Sequence, residues 1–163
     1  MERTTVGFFE GEYRRYKSLG EGAFKQLDDA QLSDEPVGGN SIATLVWHLS
    51  GNLESRFTDF LTSDGEKPTR DRDAEFAPTD RSPEALRAEW AEAWAVTEAT
   101  LRTFGAADLG LTVLIRGVPH TLAQALVRSL THLANHVGQI VLLAKHRAGS
   151  GWATLSIPKK RAG

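Results

Sequence analysis

The sequence predicts an all-α protein, a bundle of four helices folded as one domain over residues 1–163. In four stretches the apolar residues recur every three or four positions, which is the period of an amphipathic helix. Three of these stretches also begin with residues typical of helix N-termini. The chain has 163 residues, of which 40% are hydrophobic, so it can bury a substantial core without disulfides or other cross-links.

The first two helices are predicted at about residues 4–27 and 41–62. A polar connection, residues 28–39, separates them, and Asn40 or Ser41 is the expected N-cap of the second helix. The apolar positions of the first helix are Phe9, Tyr13, Tyr16, Ala23, Phe24 and Leu27. Those of the second are Ile42, Leu45, Val46, Leu49, Leu53, Phe57 and Phe60.

The third and fourth helices are predicted at about residues 83–104 and 121–147. Ser82 and Pro83 form an N-cap and a first-turn proline, and Thr121 with Gln124 forms a capping-box pattern. The apolar stripe of the third helix is Leu86, Trp90, Ala93, Trp94, Thr97, Leu101 and Phe104. That of the fourth is Leu122, Leu126, Leu133, Val137, Ile140 and Ala144.

The connections between the helices are long enough to permit crossovers. Residues 63–81 are charged and rich in turn formers, which predicts a loop; its segment 64–75 is expected to be solvated surface or a lid over a pocket mouth. Before the fourth helix, β-branched residues on both sides of Arg116 and Gly117 predict a small hairpin or extended excursion. The tail, residues 149–163, has no period and is expected to wrap the surface of the bundle.

Composition narrows the classes of function. Nineteen Lys and Arg residues against twenty-one Asp and Glu give a net charge of −2, so nothing predicts binding to nucleic acid or to an anionic membrane. The chain contains no cysteine, which leaves histidine and carboxylate side chains as metal ligands. No apolar run approaches the length of a membrane span. The simplest expectation is a soluble cytoplasmic protein.

Three histidines form the candidate site. His132 and His136 are four residues apart in the fourth helix, so both imidazoles project from one face, inward toward the bundle. His48 lies at the border of the apolar face of the second helix. Three imidazoles can hold one divalent ion and leave a coordination position for water or substrate. The alternative is a non-catalytic bundle that binds a ligand or a partner, in which these are core histidines hydrogen-bonded to their neighbours.

Other residues near the histidines have weaker assignments. Asn52 and Arg56 follow His48 on the same helix border, and Gln139 follows His136 by one turn. These three side chains could orient metal ligands or substrate, or make ordinary hydrogen bonds between helices. Position 133 is leucine, so the His-Glu-x-x-His pattern of zinc peptidases is absent. Two further histidines, His120 and His146, are left outside the site.

The histidine motifs resemble those of the DinB-like superfamily of metalloenzymes, also called DinB/YfiT-like. One is Trp47-His48-Leu-Ser-Gly-Asn52 in the second helix; the other is His132-Leu-Ala-Asn-His136-Val-Gly-Gln139-Ile in the fourth. The resemblance covers nearly the whole chain. The loop with Asp64-Gly-Glu-Lys-Pro and Arg70-Asp-Arg-Asp, the turn Arg116-Gly-Val-Pro-His120-Thr and the tail Ser156-Ile-Pro-Lys indicate an uncharacterised branch of that superfamily.

The resemblance implies a four-helix bundle with crossover connections that commonly forms a homodimer. It further implies that His48, His132 and His136 hold a divalent ion, nickel or zinc, with iron and manganese as alternatives. Better-understood members are thiol-dependent transferases and isomerases in which the metal activates a low-molecular-weight thiol. The expected partners are therefore a small-molecule electrophile and such a thiol.

Overall fold

The computed structural model of the protein describes residues 5–77 and 81–157. These residues are mostly helical, with five α-helices and one antiparallel two-stranded sheet. The helices are α1 (Thr5–Phe24), α2 (Asp29–Ser33), α3 (Ile42–Phe57), α4 (Pro83–Leu101) and α5 (Leu122–Ala148), and the strands are β1 (Thr112–Ile115) and β2 (Val118–Thr121). None of these helices combines the length and apolar character of a membrane span.

The four long helices are the four that the apolar periodicity predicts, and their starts agree with the predicted caps. Ser41, Ser82 and Thr121 each accept a hydrogen bond from a backbone N–H of the first turn, and Thr121 with Gln124 forms a complete capping box. Of the two predicted caps for α3, Ser41 is therefore the correct one. The predicted apolar stripes supply most of the hydrophobic core.

The predicted ends of three helices were too far along the chain. The first helix ends at Phe24 rather than residue 27, the third at Leu101 rather than 104, and the second at Phe57 rather than 62. At Thr58 the backbone becomes extended, and Asp59 has a positive φ of 47°, which a continuing helix does not allow. Phe60 still reaches the core, 2% exposed, but from the turn after the helix.

One helix was missed in the predicted connection of residues 28–39. Helix α2 is a single short turn of five residues with a capping box between Asp28 and Gln31, and Leu32 is its buried residue. A segment this short carries too few apolar residues to show a helical period. Its polar residues therefore led to the prediction of a connection without helix. The connection is otherwise irregular, as expected.

The hairpin lies where the sequence places it, and the described part of the tail contacts the bundle. The hairpin turns at Arg116 and Gly117, which both have positive φ angles, the arrangement of the tight turns that suit twisted β-hairpins. In the tail, Trp152 and Leu155 pack against the core, and Gln26, which follows α1, exchanges two hydrogen bonds with the backbone of Ala153. The rest of the predicted tail, residues 158–163, lies outside the described residues, as does Thr4.

Helix packing brings the site together. α3 contacts both α4 and α5, while α1 packs mainly on α5 and also contacts α4. The loop after α3 folds back over that helix, and a 3₁₀ turn within it, Ala74–Phe76, packs on α3. The loop is also anchored to the hairpin, since the Asp64 carboxylate accepts hydrogen bonds from the backbone N–H groups of Arg116 and Gly117.

Candidate metal centre

Two neighbouring helices carry the three predicted ligands. His48 lies in the middle of α3 and is 2% exposed. His132 and His136 lie one turn apart on α5 and are half-buried. The ring centroids of the three imidazoles are 4.6 to 5.1 Å apart. The i, i+4 spacing and the contact between α3 and α5 therefore bring together the residues that the sequence pattern selected.

The nitrogen atoms of the cluster are close enough to share one ion. One nitrogen from each ring lies within 4.8 Å of the other two, and the Nε2 atoms of His48 and His132 are 3.1 Å apart. Two imidazole nitrogens on one tetrahedral or octahedral ion lie roughly 2.9–3.4 Å apart, given metal–nitrogen bonds of about 2.0–2.1 Å. The cluster could therefore hold a divalent metal ion.

A buried carboxylate orients His48. The Nδ1 atom of His48 is 2.7 Å from Oε2 of Glu75, and both side chains are almost completely buried. With the Glu75 carboxylate accepting a hydrogen bond from Nδ1–H, the lone pair on Nε2 of His48 faces the other two histidines. Metal-ligating histidines commonly have such a carboxylate on the second ring nitrogen.

Arg70 holds Glu75 in place. Its Nε atom donates to Oε1 of Glu75 at 2.7 Å and its Nη2 atom to Oε2 at 2.8 Å, the paired geometry that suits guanidinium and carboxylate groups. Burial alone raises the pKa of Glu75, but the hydrogen bonds from His48 and Arg70 outweigh it and hold the pKa below its ordinary value. Glu75 is therefore an anion that compensates the positive charges around it.

Glu75 also depends on a glycine of α3. A Cβ atom on Gly51 would lie 2.4 Å from Oε1 of Glu75, a distance that non-bonded atoms do not reach. Gly51 follows His48 by three residues and faces the same loop. The missing side chain at position 51 leaves the space that the carboxylate occupies.

The sequence prediction missed Glu75 and Arg70. It assigned segment 64–75 to solvated surface or to a lid, yet Glu75 is 3% exposed and lies against a predicted ligand. Phe76 is the residue that could have indicated that this part of the loop is buried; its ring centroid lies 4.6 Å from that of His48. It is an aromatic residue beside an acidic one in an otherwise polar loop, and Gly51 provides a gap on the facing helix.

Burial keeps the other two histidines neutral. Burial lowers the pKa of His132 to about 3, and the neighbouring His136 and His48 rings contribute further, followed by two arginines. The pKa of His136 is also lowered, first by burial and then by His48. Neutral imidazoles carry the lone pair that a metal requires, so the donor set is ready for an ion near neutral pH.

Hydrogen bonds within the described residues do not satisfy the cluster completely. The contact between His48 and His132 is a single hydrogen bond between their Nε2 atoms. The Nδ1 atoms of His132 and His136 are buried and have no partner among the described residues. Unsatisfied buried polar atoms are costly, and within the described residues the alternative of fully hydrogen-bonded core histidines is not met at these two nitrogens.

The three residues predicted to support the site have different surroundings. Asn52 and Arg56 are buried and line a cavity of about 230 Å³ that also reaches His48 and His132. Neither forms the predicted hydrogen bond between helices within the described residues. Gln139 is exposed, and its side chain opposes the lowering of the His136 pKa.

The two histidines that were excluded stay apart from the cluster. His120 lies on β2 and its Nδ1 atom contacts the carbonyl oxygen of Val118 at 2.9 Å. His146 lies in the last turn of α5, where a helix dipole favours a cation. Both are useful controls because they are the same residue type outside the site.

Trp47 is half-buried within its own chain. The Arg81 guanidinium lies over its ring, 4.0 Å from the ring centroid. Trp47 therefore contacts the connection that precedes α4 within its own chain.

Comparison with known proteins gives one family. The model of the family described as "Protein of unknown function (DUF1572)" matches residues 4–161 of the chain. No match was found among curated proteins or among solved structures.

Proposed function

The chain belongs to the DUF1572 family, and we propose that it is a divalent-metal-dependent enzyme that joins a low-molecular-weight thiol to a small electrophile. The observation that carries the proposal is the convergence of His48, His132 and His136, with Glu75 orienting the first of them. We propose these histidines as the ligands of nickel or zinc, with iron and manganese as alternatives. The thiol is proposed from the resemblance of the two histidine motifs to the DinB-like superfamily.

The protein's own residues supply the conditions for this chemistry. Glu75 holds His48 in the tautomer whose Nε2 can bind an ion, and burial keeps His132 and His136 unprotonated. A bound divalent ion would lower the pKa of a thiol, so that the sulfur is present as the nucleophilic thiolate. The cavity beside His48 and His132 gives a small substrate access to the cluster.

We also propose that the four long helices form the crossed-over bundle of DinB-like proteins. α1 has its main contacts with α5 and α4, and α3 has its main contacts with the same two helices. The long helices α1 and α3, which follow one another in the chain, then occupy diagonal positions, and their connection crosses over. This arrangement supports the resemblance independently of the histidines.

A reduced thiol substrate also implies the cytoplasm, where thiols are kept reduced, and the resemblance implies a homodimer. We propose both. Light scattering tests the dimer: a mass near twice 17.8 kDa is expected, and the mass of one chain would refute it. The enzyme proposal does not depend on this result.

The experiment for the function is a metal-dependent conjugation assay. Metal-reconstituted protein is mixed with monochlorobimane and each of bacillithiol, mycothiol, glutathione and cysteine. The thiol sulfur forms a bond to the carbon that carries chlorine, chloride leaves, and the thiol proton passes to solvent. We expect turnover with at least one thiol, lost on metal removal and restored by nickel or zinc.

The matched controls are histidine variants. The double variant His132→Ala/His136→Ala should be inactive, whereas His146→Ala should retain activity because His146 lies outside the cluster. Absence of turnover with all four thiols would overturn the thiol assignment and leave a metal-binding protein. Turnover that is equal with and without metal would overturn the role of the metal.

A further inference from the structure

The cavity beside the histidine cluster is strongly cationic. It has a volume of about 230 Å³, and five of the nine residues that line it are arginines. None of the described residues in the lining is acidic. This volume is below the roughly 300–1,000 Å³ that is usual for sites of drug-sized ligands, so the cavity suits a small molecule. The arginines are Arg56, Arg70, Arg72, Arg116 and Arg128.

Carboxylates contact three of these arginines. Arg70 pairs with Glu75 and Glu66. Arg116 also pairs with Glu66, at 3.2 Å, and Arg72 lies 3.6 Å from its neighbour Asp73. These three guanidinium groups therefore have their charge at least partly compensated within the protein.

The remaining two, Arg56 and Arg128, form no ion pair with any described residue. Arg56 is 7% exposed, and its Nη1 atom is buried without a hydrogen-bond partner. The guanidinium packs against the bare Cα of Gly65, where an added Cβ would lie 2.6 Å from Nη1. Arg128 projects from α5 at the exposed side of the same cavity.

An unpaired buried guanidinium is energetically costly. Burial lowers the pKa of Arg56, Glu66 opposes this effect, and the nearby Arg128, Arg70 and Arg116 lower the pKa further. Mutual repulsion between these cations disfavours their gathering around one cavity unless an anion occupies it. Arginine is also the side chain best suited to bind carboxylate and phosphate groups through paired hydrogen bonds.

We propose that this cavity binds a small dianionic group of the substrate, a dicarboxylate or a phosphate ester, through Arg56 and Arg128. These two guanidinium groups, which form no ion pair with a described residue, match two negative charges. Because the cavity also reaches His48 and His132, an anion held there places the rest of its molecule beside the histidine cluster. This inference rests on the proposed function and adds to it the substrate class of the same site.

Titration calorimetry with two probes tests the inference. Metal-free protein, dialysed to remove the chelator because many chelators are themselves polycarboxylates, is titrated with succinate and separately with methyl phosphate. Succinamide is the neutral control. We expect saturable binding of at least one dianion and no binding of succinamide, and the two titrations distinguish carboxylate from phosphate.

Arginine variants assign the binding to the cavity. Arg56→Gln and Arg128→Gln should each weaken the dianion at least about tenfold, a loss of one charge-assisted contact. Arg15→Gln removes the same charge from the exposed surface of α1 and should bind within about twofold of the unchanged protein. If Arg56→Gln does not fold, the same titrations are carried out with Arg128→Gln and with the charge-retaining Arg56→Lys.

The outcomes separate this inference from the proposed function. Binding of neither probe, or equal weakening by Arg15→Gln, would overturn the dianion site even if the histidines bind metal. Dianion binding by a protein that binds no nickel or zinc would overturn the metal enzyme and leave the anion site standing. Binding that is unaffected by either cavity variant would place the anion elsewhere and overturn the inference.

Discussion

Glu75 connects the polar loop to the histidine cluster. Its carboxylate accepts from His48 and from Arg70 within a region from which water is almost excluded. In a metal site this interaction selects the His48 tautomer and increases the basicity of the ring. Glu75 is therefore the residue outside the ligand set with the largest expected effect on metal affinity.

We predict that Glu75→Gln weakens zinc binding by about 10- to 100-fold, because the neutral amide is a poorer acceptor for His48 and no longer pairs fully with Arg70. Competition with a fluorescent zinc chelator measures the affinity. Glu66→Gln is the matched control, since Glu66 also contacts Arg70 but does not contact His48. Equal affinities for the unchanged protein and Glu75→Gln would contradict the role assigned to this carboxylate.

The histidines also predict how stability depends on pH. The pKa of His132 is lowered to about 3 in the folded chain, against about 6.5 when unfolded. Between these values the unfolded chain binds a proton that the folded chain does not, so acid favours unfolding. The stability associated with neutral His132 is fully present above pH 6.5 and is lost progressively as the pH falls toward 3.

We therefore predict that metal-free protein is less stable to urea at pH 5.0 than at pH 7.5, and that the decrease is smaller in His132→Ala. The lowered pKa of His136 acts in the same direction, and that of Glu75 adds a loss in more acidic solution. Urea unfolding at the two pH values measures the effect, with His146→Ala as the control. An equal decrease in His132→Ala would argue against a neutral, buried His132.

At this scale the sequence allowed prediction of the three histidines but not of Glu75. The i, i+4 spacing of His132 and His136 determines their common face on any helix, and His48 lies on a predictable border of α3. The position of Glu75 depends instead on how a long polar loop folds back over α3. Its ion pair with Arg70 and its fit against Gly51 are tertiary contacts without a local period.

At the scale of elements, α3 and the loop after it form one wall of the site. Gly51 leaves room for Glu75, and the hydrogen bonds from Arg116 and Gly117 to Asp64 attach the loop to the hairpin. The loop therefore has two anchors, one on the helix and one on the hairpin. A change at the helix anchor should disturb the site without removing any ligand.

We predict that Gly51→Ala weakens metal binding and lowers stability by roughly 1–3 kcal/mol, because the new Cβ displaces Glu75. This loss should exceed the gain of up to about 1 kcal/mol that alanine brings to a helix interior. Gly11→Ala in α1 is the matched control, since a Cβ there meets nothing within 4 Å, and it should be stabilising. Chemical unfolding and zinc competition give both quantities; a stabilised Gly51→Ala protein with unchanged zinc affinity would contradict the packing described.

The elements themselves were predictable to different degrees. Starts were accurate because Ser41, Ser82 and Thr121 are local capping signals. The ends of α1, α3 and α4 were not, because Leu27, Phe60 and Phe104 continue the apolar period beyond the last helical turn and are buried, or partly buried, from turns. Apolar spacing indicates that a residue is buried, but it does not show whether the backbone is still helical.

At the scale of the whole molecule, the contacts of α3 with α5 create the site by placing His48 opposite His132 and His136. The same packing leaves a cationic cavity next to the cluster and buries Glu75 on its other side. The overall charge of −2 gives no indication of this local excess of arginine. The net charge of the whole chain therefore does not predict the excess of positive charge around the cavity.

The most direct test of the three-histidine site is the metal content of protein purified without a histidine tag. Elemental mass spectrometry should find about one divalent ion per chain in the unchanged protein and in the controls His120→Ala and His146→Ala. His48→Ala, His132→Ala and His136→Ala should each lose most of it. A metal-free protein that takes up no nickel or zinc when these are supplied, or full occupancy in all three cluster variants, would contradict the metal site.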